Sequence, residues 1–266
     1  MKKQKDLTIV IPAYNEEKRI GRTLFSLGDY FVKNKRNVDV EVLVVVNNTT
    51  DKTIHVIKEY KKKYPFIKYI NLRKDTGKGG AISVGFRKAT GKYIGFMDAD
   101  GSNSPAQLMK LYRKISKDSL LDGIIGSRRI KGSKTKVNET FLRVLFGYAF
   151  NLITRYVFGL KYRDTQFGLK IFTREFAKEV SDKIYATSWT MDINILLIGN
   201  HLNANIIESP VIWESIEGSR FSIKNAFLEV PKELIYLKRM ELKYIFGFSN
   251  EFLSKNKELS YKSLIH

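Results

Sequence analysis

Short apolar runs alternate with longer amphipathic stretches through the first half of the chain. Five continuous apolar runs predict strands that are covered on both faces: LTIVIP (7–12), VEVLVVV (40–46), IKYINL (67–72), KYIGFM (92–97) and DGIIGS (122–127). Helical periodicity occupies the intervals between them, at about 16–33, 51–63, 79–89 and 104–115. Regular alternation of strand and helix predicts an α/β fold, with a mostly parallel, doubly wound sheet and helices on both faces.

Polar motifs follow several of these strands, at the end where doubly wound sheets bind ligands. The most notable is DADG, in which Asp98 and Asp100 are separated by one residue. Two neighbouring carboxylates repel each other unless they share a cation or one takes up a proton. Asp100-Gly101 can also be a simple turn. Because AYNE, NNTTD and GSRR occupy equivalent strand ends, we favour the shared cation.

The second half is less regular, and no linker separates it from the first. We expect one domain over residues 1–222, followed by a helical, membrane-proximal segment and a polar tail over 223–266. The apolar stretch 141–160 contains Arg143 and Arg155, each of which costs about 2.5–3.5 kcal/mol at the centre of a bilayer. It is therefore either an interfacial helix or a core helix. Residues 228–248 form a second basic amphipathic candidate.

Composition narrows the class of function. The 266 residues contain no cysteine and only three widely spaced histidines, which excludes disulfides, thiolate nucleophiles and zinc–thiolate sites. The net charge of +20 suits nucleic acid, an anionic membrane or phosphorylated substrates. Nucleic acid explains neither the paired aspartates nor the strand-end clustering, so we expect no nucleic-acid partner. The N-terminal apolar run is too short for a signal peptide.

Four further motifs contain polar residues that have a structural interpretation, and two of these motifs also suit the binding of an anion. Lys78 lies in TGKGG, which departs from the P-loop pattern but can form either an anion-binding helix start or a turn. Asp164 can be a cap or a partner of Arg163, and Asp192 can be a helix-start carboxylate. The Gly-Ser-Arg loop around residue 219 suits a phosphate, or is a turn with an exposed arginine.

Seven segments in order resemble the inverting family-two glycosyltransferases, which have the Rossmann-like GT-A fold: IVIPAYNEEKRI, TGKGGAISVGF, YIGFMDADGS, IIGSR, RDTQFGLKIFTRE, WTMDINILL and IEGSR. RDTQFGLKIF and IEGSR are the most specific, and the resemblance covers about residues 7–222. Within the family these motifs are most similar to the dolichyl-phosphate β-glucosyltransferases, with the dolichyl-phosphate mannose synthases next.

The resemblance implies roles for individual residues. The nucleotide-sugar would be bound by Pro12, Tyr14, Glu16, Asn48, Lys78 and Asp98. Asp98 and Asp100 would be catalytic and would hold Mg²⁺ or Mn²⁺ against the donor diphosphate. Phosphate groups of the acceptor would be bound by Arg128, Arg143, Ser219 and Arg220. Asp192 would be a base only if the acceptor were a hydroxyl, with Asp164 a weaker second candidate.

The implied reaction moves a sugar, glucose from UDP-glucose, to dolichyl or polyprenyl phosphate with inversion, at the cytoplasmic face of a membrane. GDP-mannose as donor and a sugar hydroxyl as acceptor remain alternatives. The family usually has two aspartates and a glycine after its second strand, where this chain has Asn47 and Asn48, so the nucleobase of the donor stays open. Eukaryotic glucosyl relatives carry an N-terminal span. None is visible here, and we expect peripheral attachment.

Overall fold

Nine strands and eight helices occur within the described residues of the computed structural model, which are 4–34, 38–136, 141–186, 188, 190–214 and 223–245. The strands are β1 (Lys5–Ala13), β2 (Val40–Asn47), β3 (Ile67–Leu72), β4 (Gly91–Met97), β5 (Gly123–Ser127), β6 (Lys134–Lys136), β7 (Leu169–Thr173), β8 (Ile206–Pro210) and β9 (Ile212–Glu214). The helices are α1 (Ile20–Lys33), α2 (Thr53–Lys63), α3 (Gly77–Lys88), α4 (Pro105–Ile115), α5 (Phe141–Phe158), α6 (Arg174–Ser181), α7 (Met191–His201) and α8 (Ile223–Ile245).

The main sheet has seven strands in the order β3-β2-β1-β4-β7-β5-β8. Every neighbouring pair is parallel except those of β7, which runs antiparallel to both β4 and β5. This confirms the predicted α/β architecture with a mostly parallel sheet. The apolar runs are strands because their residues are buried on both faces; all eight residues of β2 are buried. A small second sheet pairs β6 with β9.

Helices cover both faces of the main sheet and divide the core in two. One cluster packs α3, α6 and α7 against the sheet around Phe86, Phe96 and Phe172. The ring of Phe86 is tilted against that of Phe96 and lies edge-on to that of Phe172. The other packs α1, α2 and α4 against the opposite face, around Leu24 and Leu108. Both clusters are continuous apolar layers, so the sheet is held rigidly and its strand ends are fixed in relative position.

One predicted boundary is wrong. The helix expected from residue 16 begins at Ile20, because Asn15 adopts a left-handed backbone conformation with φ of 52° and residues 14–19 form a loop. The backbone N–H of Glu16 donates to the hydroxyl of Thr53 at 2.7 Å, which binds this loop to the start of α2. The residues after β1 are therefore free of helical geometry and lie at the edge where ligands bind.

Helix α8 packs on the body of the fold. Val230 and Leu237 join the first core cluster, and the carboxylate of Glu233 accepts hydrogen bonds from the backbone N–H and hydroxyl of Thr190, just before α7. The boundary at residue 222 stays a prediction, since α8 shares this core with the preceding domain. The predicted polar tail after Asn250 lies outside the described residues.

Helix α5 presents apolar side chains in two directions. Phe150 and Phe158 are buried against the body, as are the polar side chains of Asn151 and Thr154. The opposite side leaves a row of apolar residues exposed: Leu142, Leu145, Tyr148, Leu152, Ile153, Tyr156 and Val157. We call this row the α5 apolar face. Among the described helices, none has the length and apolar character needed to cross a membrane.

Candidate active site

The DADG turn begins where β4 ends, at Met97, so Asp98 and Asp100 lie in the turn and not in the strand. The backbone N–H of Asp98 donates to the carbonyl oxygen of Gly168 at 3.2 Å, and the carbonyl of Ala99 accepts from the hydroxyl of Thr23 at 2.7 Å. The carboxylate of Asp100 accepts from the N–H of Ser102 at 2.9 Å. The turn is therefore held by α1 on one side and by the residue before β7 on the other.

Gly168 is necessary for the placement of the Asp98 side chain. A Cβ atom at position 168 would lie 1.7 Å from the Asp98 carboxylate oxygen Oδ2. The carboxylate occupies the space that any larger residue at position 168 would need. Gly79 plays a similar part at the start of α3, where a Cβ would lie 1.9 Å from the carbonyl oxygen of Ala186. These two glycines let the turn after β4, the start of α3 and the segment before α7 converge.

Four charged side chains of alternating sign meet at this convergence. The ammonium of Lys78 lies 2.8 Å from Asp98 and 3.6 Å from Asp192, and that of Lys170 lies 2.5 Å from the other oxygen of Asp192. Burial lowers the pKa of Lys78, but the carboxylates of Asp98 and Asp192 outweigh it, and Asp100 adds to them, so the pKa is raised above its ordinary value. Lys78 is therefore charged across the physiological range of pH.

Asp192 lies in the first turn of α7, as the sequence predicts, and is buried. Each of its two carboxylate oxygens faces an ammonium group, one from Lys170 and one from Lys78. A general base needs a lone pair directed at the substrate proton. Both oxygens of Asp192 are already engaged by lysines, which fits a positioning role better than proton abstraction.

Asp164 pairs with Arg128 and not with Arg163, whose pairing was one of the two structural interpretations that the sequence left open. Its two carboxylate oxygens accept from Nε and Nη2 of Arg128 at 2.7 and 3.0 Å, and its Oδ2 also accepts from the Arg128 backbone N–H at 3.0 Å. The carboxylate is 1% exposed. Burial raises the pKa of Asp164, but the Arg128 guanidinium outweighs it and holds that pKa below the usual range. The buried ion pair therefore fixes the orientation of the Arg128 guanidinium.

Two aromatic rings also lie close to the Arg128 guanidinium. The Arg128 guanidinium carbon lies 5.5 Å from the centre of the Phe167 ring and 5.2 Å from that of Trp213 in β9. The next residue, Arg129, stacks on Tyr148 of the α5 apolar face at 4.1 Å and donates to the Gly147 carbonyl. Burial lowers the pKa of Arg129 below its ordinary value; Asp164 opposes this shift, whereas Arg128 and Arg155 add to it. The end of β5 thus links the site to α5.

The loops after β1 and β2 form one surface beside this cluster. The side-chain oxygen of Asn15 accepts from the Thr50 N–H and the Thr49 hydroxyl, each at 2.8 Å, and Asp51 accepts from the Glu17 N–H at 3.1 Å. Burial raises the pKa of Asp51, but hydrogen bonds from Thr53, Glu17 and Thr49 outweigh it, so the carboxylate stays ionised. AYNE and NNTTD therefore act as a single rigid unit.

Asn47 and Asn48, which stand where the family usually has aspartates, differ in burial. Asn47 is buried; its Nδ2 donates to Asp75 at 2.7 Å and its oxygen accepts from the Thr76 N–H at 2.9 Å, so it holds the loop before α3. Asn48 is exposed with φ of 50°, on the same edge as the exposed side chain of Tyr14. Asn48 is thus the asparagine that a bound nucleoside can reach.

The structure thus brings together only part of the predicted site. Lys78, Asp98, Asp100 and Asp192 form one cluster, and Pro12, Tyr14, Glu16 and Asn48 lie at the neighbouring ends of β1 and β2. For Arg143 only the backbone, in α5, is described, and Ser219 and Arg220 lie outside the described residues. The sequence-based reasoning missed Lys170, Gly168, Arg129 and Trp213. A lysine within the apolar run FGLKIF was the available signal for Lys170.

The two carboxylates suit a hard divalent cation that takes its other ligands from a substrate. Within the described residues, no three histidine, cysteine, aspartate or glutamate side chains are grouped to hold a metal. Mg²⁺ typically binds proteins through one or two carboxylates together with phosphate oxygens and water. Asp98 and Asp100 supply such a pair at an accessible strand end, so the residues present fit the cation implied by the family.

Comparison with solved structures supports the architecture. Glucosyl-3-phosphoglycerate synthase of Mycobacterium tuberculosis in complex with UDP superposes with a TM-score of 0.64 at 15% identity, over 89% of this chain and 80% of that one. The same enzyme in complex with Mn²⁺, UDP-glucose and phosphoglyceric acid gives a TM-score of 0.65 at 16% identity, with the same coverage. At this identity the likeness shows the fold, which is that of the GT-A glycosyltransferases.

Sequence comparison gives the family. A dolichyl-phosphate β-glucosyltransferase of Trichomonas vaginalis is 32% identical over 84% of this chain and 70% of its own length. The human dolichyl-phosphate β-glucosyltransferase is 30% identical over 91% of this chain and 77% of its own. The sequence profile of glycosyl transferase family 2 matches residues 8–181, which run from within β1 to the end of α6 and include the Asp98–Asp100 turn. The chain is therefore a glycosyltransferase and belongs to glycosyl transferase family 2.

Proposed function

We propose that this glycosyltransferase moves glucose from UDP-glucose to dolichyl phosphate or another polyprenyl phosphate, with inversion, at the cytoplasmic face of a membrane. The observation that carries the proposal is the Lys78–Asp98–Asp100 cluster at the strand ends, linked through Arg128 and Arg129 to the α5 apolar face. It joins a site for a diphosphate to a surface for a lipid. The relatives named above are dolichyl-phosphate β-glucosyltransferases, which favours this donor over GDP-mannose.

The donor would lie along the ends of β1, β2 and β4. Its nucleoside would meet Pro12, Tyr14, Glu16 and Asn48, and its diphosphate would lie near Lys78 and the amino end of α3, where the helix dipole attracts anions. When bound by Asp98 and Asp100, Mg²⁺ or Mn²⁺ would neutralise the leaving diphosphate. The Lys78 ammonium and the amino end of α3 would stabilise the same charge, because both are already in position and need no reorganisation during the reaction.

The acceptor would be its own nucleophile. A phosphate monoester has a second pKa of about 6, so it is largely a dianion at neutral pH. One of its oxygens forms a bond to the anomeric carbon while the bond to UDP breaks on the opposite face, which inverts the configuration. No proton needs to be removed, in keeping with the engagement of Asp192 by two lysines. Arg128, Arg143, Ser219 and Arg220, together with Arg129, are the groups we assign to the acceptor phosphate.

Transfer to a lipid is the direct test of the proposal. Full-length protein would be incubated with radiolabelled UDP-glucose, GDP-mannose or UDP-N-acetylglucosamine and dolichyl phosphate. We expect label to enter the lipid phase from UDP-glucose, and to do so at least about tenfold faster than from GDP-mannose, since one pocket rarely accepts both bases equally. Label entering only from GDP-mannose, or only a sugar hydroxyl acting as acceptor, would contradict the proposal.

The double variant Lys170→Met/Asp192→Asn distinguishes a phosphate nucleophile from a hydroxyl that needs a base. Removing both members of a buried ion pair avoids the uncompensated charge that a single change would leave. We expect kcat for transfer to polyprenyl phosphate, at saturating donor, to stay within about tenfold of the wild type, because loss of a general base typically costs 10²–10⁴-fold. A drop of that larger size in a folded protein would make Asp192 a base.

Membrane attachment would use the α5 apolar face. Tyr156 is 90% exposed and Leu152 is 65% exposed, and the basic run 127–136 follows β5 nearby in the chain. Aromatic and aliphatic side chains would enter the interface while lysines and arginines meet anionic headgroups. Helix α8 exposes Ile235, Tyr236 and Leu242, and we assign it to the same membrane-proximal region.

Liposome flotation tests this attachment. We expect the wild type to bind vesicles containing anionic lipid more strongly than neutral vesicles, and high salt to release much of it, since electrostatic attraction is screened. Leu152→Glu/Tyr156→Glu should reduce binding by about tenfold or more, because charges replace two exposed apolar side chains that would enter the membrane interface. The control Leu120→Glu changes an equally exposed apolar residue distant from α5 in sequence. Equal loss with the control would refute the assignment.

A further inference from the structure

Lys170 is a fully buried lysine in the centre of the sheet. It is 0% exposed, is the second residue of β7, and pairs across the ladder with Phe96 of β4. A buried ion pair rarely stabilises a fold more than a well-packed apolar residue of similar size would. Stability alone is therefore a weak reason for an ammonium group here, and its contacts indicate another.

The contacts of Lys170 fix the orientation of one carboxylate. Its ammonium donates to Oδ1 of Asp192 and, at 2.7 Å, to the carbonyl oxygen of Phe167, and it lies 5.2 Å from the centre of the Phe96 ring. The carbonyl and the ring hold the ammonium from two further directions. Asp192, in the first turn of α7, is consequently held with Oδ2 directed away from Lys170.

That second oxygen faces Lys78. The distance from Oδ2 of Asp192 to the Lys78 ammonium is 3.6 Å, and on its other side the same ammonium lies 2.8 Å from Asp98. The Lys78 side chain is 35% exposed, so it is reachable from the strand ends, whereas Lys170 is not. Lys170 therefore touches no substrate, but it supports the residue that supports Lys78.

We infer that Lys170 is a positioning residue for donor binding: by holding Asp192 it keeps the Lys78 ammonium between two carboxylates, where it meets the donor diphosphate. The inference rests on the proposed function for the identity of the donor. Without Lys170, Asp192 would retain Lys78 alone as its counter-charge. Lys78 would then move toward Asp192 and away from Asp98, and the diphosphate would lose a correctly placed cation.

Titration calorimetry of the full chain with UDP would test the inference. We expect Lys78→Met and Lys170→Met each to raise the Kd for UDP by about tenfold, the loss typical of one charge-assisted contact. The double variant Lys78→Met/Lys170→Met should bind UDP no more weakly than Lys78→Met alone, because Lys170 acts through Lys78. Additive losses, or a wild-type Kd in Lys170→Met, would overturn the inference.

Lys68→Met is the matched control. Lys68 pairs with the buried carboxylate of Glu41 at 2.6 Å, at the amino ends of β2 and β3, on the opposite edge of the sheet. Its loss should lower the melting temperature and leave the Kd for UDP unchanged. If Lys170→Met fails to fold, Lys170→Met/Asp192→Asn removes both charges and should fold. Lys78 would then be drawn to Asp98 alone instead of being held between two carboxylates, so this variant should still bind UDP about tenfold more weakly. Normal UDP binding by that variant would show a purely structural role.

A measurement on the free protein separates this inference from the identity of the donor. The ¹H–¹⁵N signal of the Lys78 ammonium, assigned by its absence in Lys78→Met, should shift in Lys170→Met and not in Lys68→Met. If the wild type binds no UDP and the signal still shifts, the proposed donor is wrong and the positioning role stands. An unchanged Lys78 signal in Lys170→Met would refute that role, whatever the donor.

Discussion

Replacement of Asp100 by Asn is expected to abolish sugar transfer, and EDTA is expected to do the same reversibly. A neutral amide is a poor ligand for a hard dication, and loss of several kcal/mol of charge stabilisation corresponds to a fall in rate of about 10³-fold or more. The measurement is transfer of glucose to polyprenyl phosphate, with and without added Mg²⁺ or Mn²⁺ after chelation.

Asp118→Asn is a close control for this change. Asp118, like Asp100, accepts a hydrogen bond from the backbone N–H two residues ahead, at 3.0 Å from Leu120, but it lies in an exposed turn. It should keep full activity, which would show that the turn geometry is not the cause of the loss. Full activity of the wild type in excess chelator would refute the metal-bridged donor.

Gly168→Ala is expected to inactivate the enzyme while leaving the fold nearly intact. The added Cβ would lie 1.7 Å from Oδ2 of Asp98, which is the end of a side chain and not backbone, so the carboxylate rotates away and the sheet need not move. Displacement of a catalytic group by about 1 Å can cost 10²-fold in rate. The measurements are kcat for transfer and the melting temperature.

The matched control is Gly21→Ala in α1, where the new Cβ would make an ordinary contact of 3.4 Å with Tyr60. We expect this variant to be active and at least as stable as the wild type, since alanine favours helix over glycine. Wild-type activity in Gly168→Ala would show that the position of the Asp98 carboxylate is unimportant for transfer. A large fall in melting temperature with Gly168→Ala would instead place the strain in the backbone.

The elements and the position of the site could be predicted from the sequence, because both depend on neighbouring residues. The apolar run before Asp98 had to be a buried strand, and polar residues after such strands gather at one edge of a parallel sheet. The start of α1 was predicted four residues too early, because Asn15 is held in a left-handed conformation by NNTTD, which is distant in the chain.

The partners of the charged residues could not be predicted in the same way. From the sequence Asp164 can be a cap or a partner of its neighbour Arg163, yet it binds Arg128, 36 residues away. Lys170 meets Asp192 across 22 residues, because β7 inserts antiparallel between β4 and β5 and carries the lysine beneath α7.

The sequence by itself thus determined the α/β alternation, the family and the paired carboxylates at a strand end, since each is a pattern of consecutive residues. Only the tertiary structure decided which charges share a partner, which asparagine is exposed and which glycine leaves space for Asp98. The physical reason is that burial, ion pairing and steric exclusion depend on distances between elements, and these distances are set when the sheet and its helices pack together.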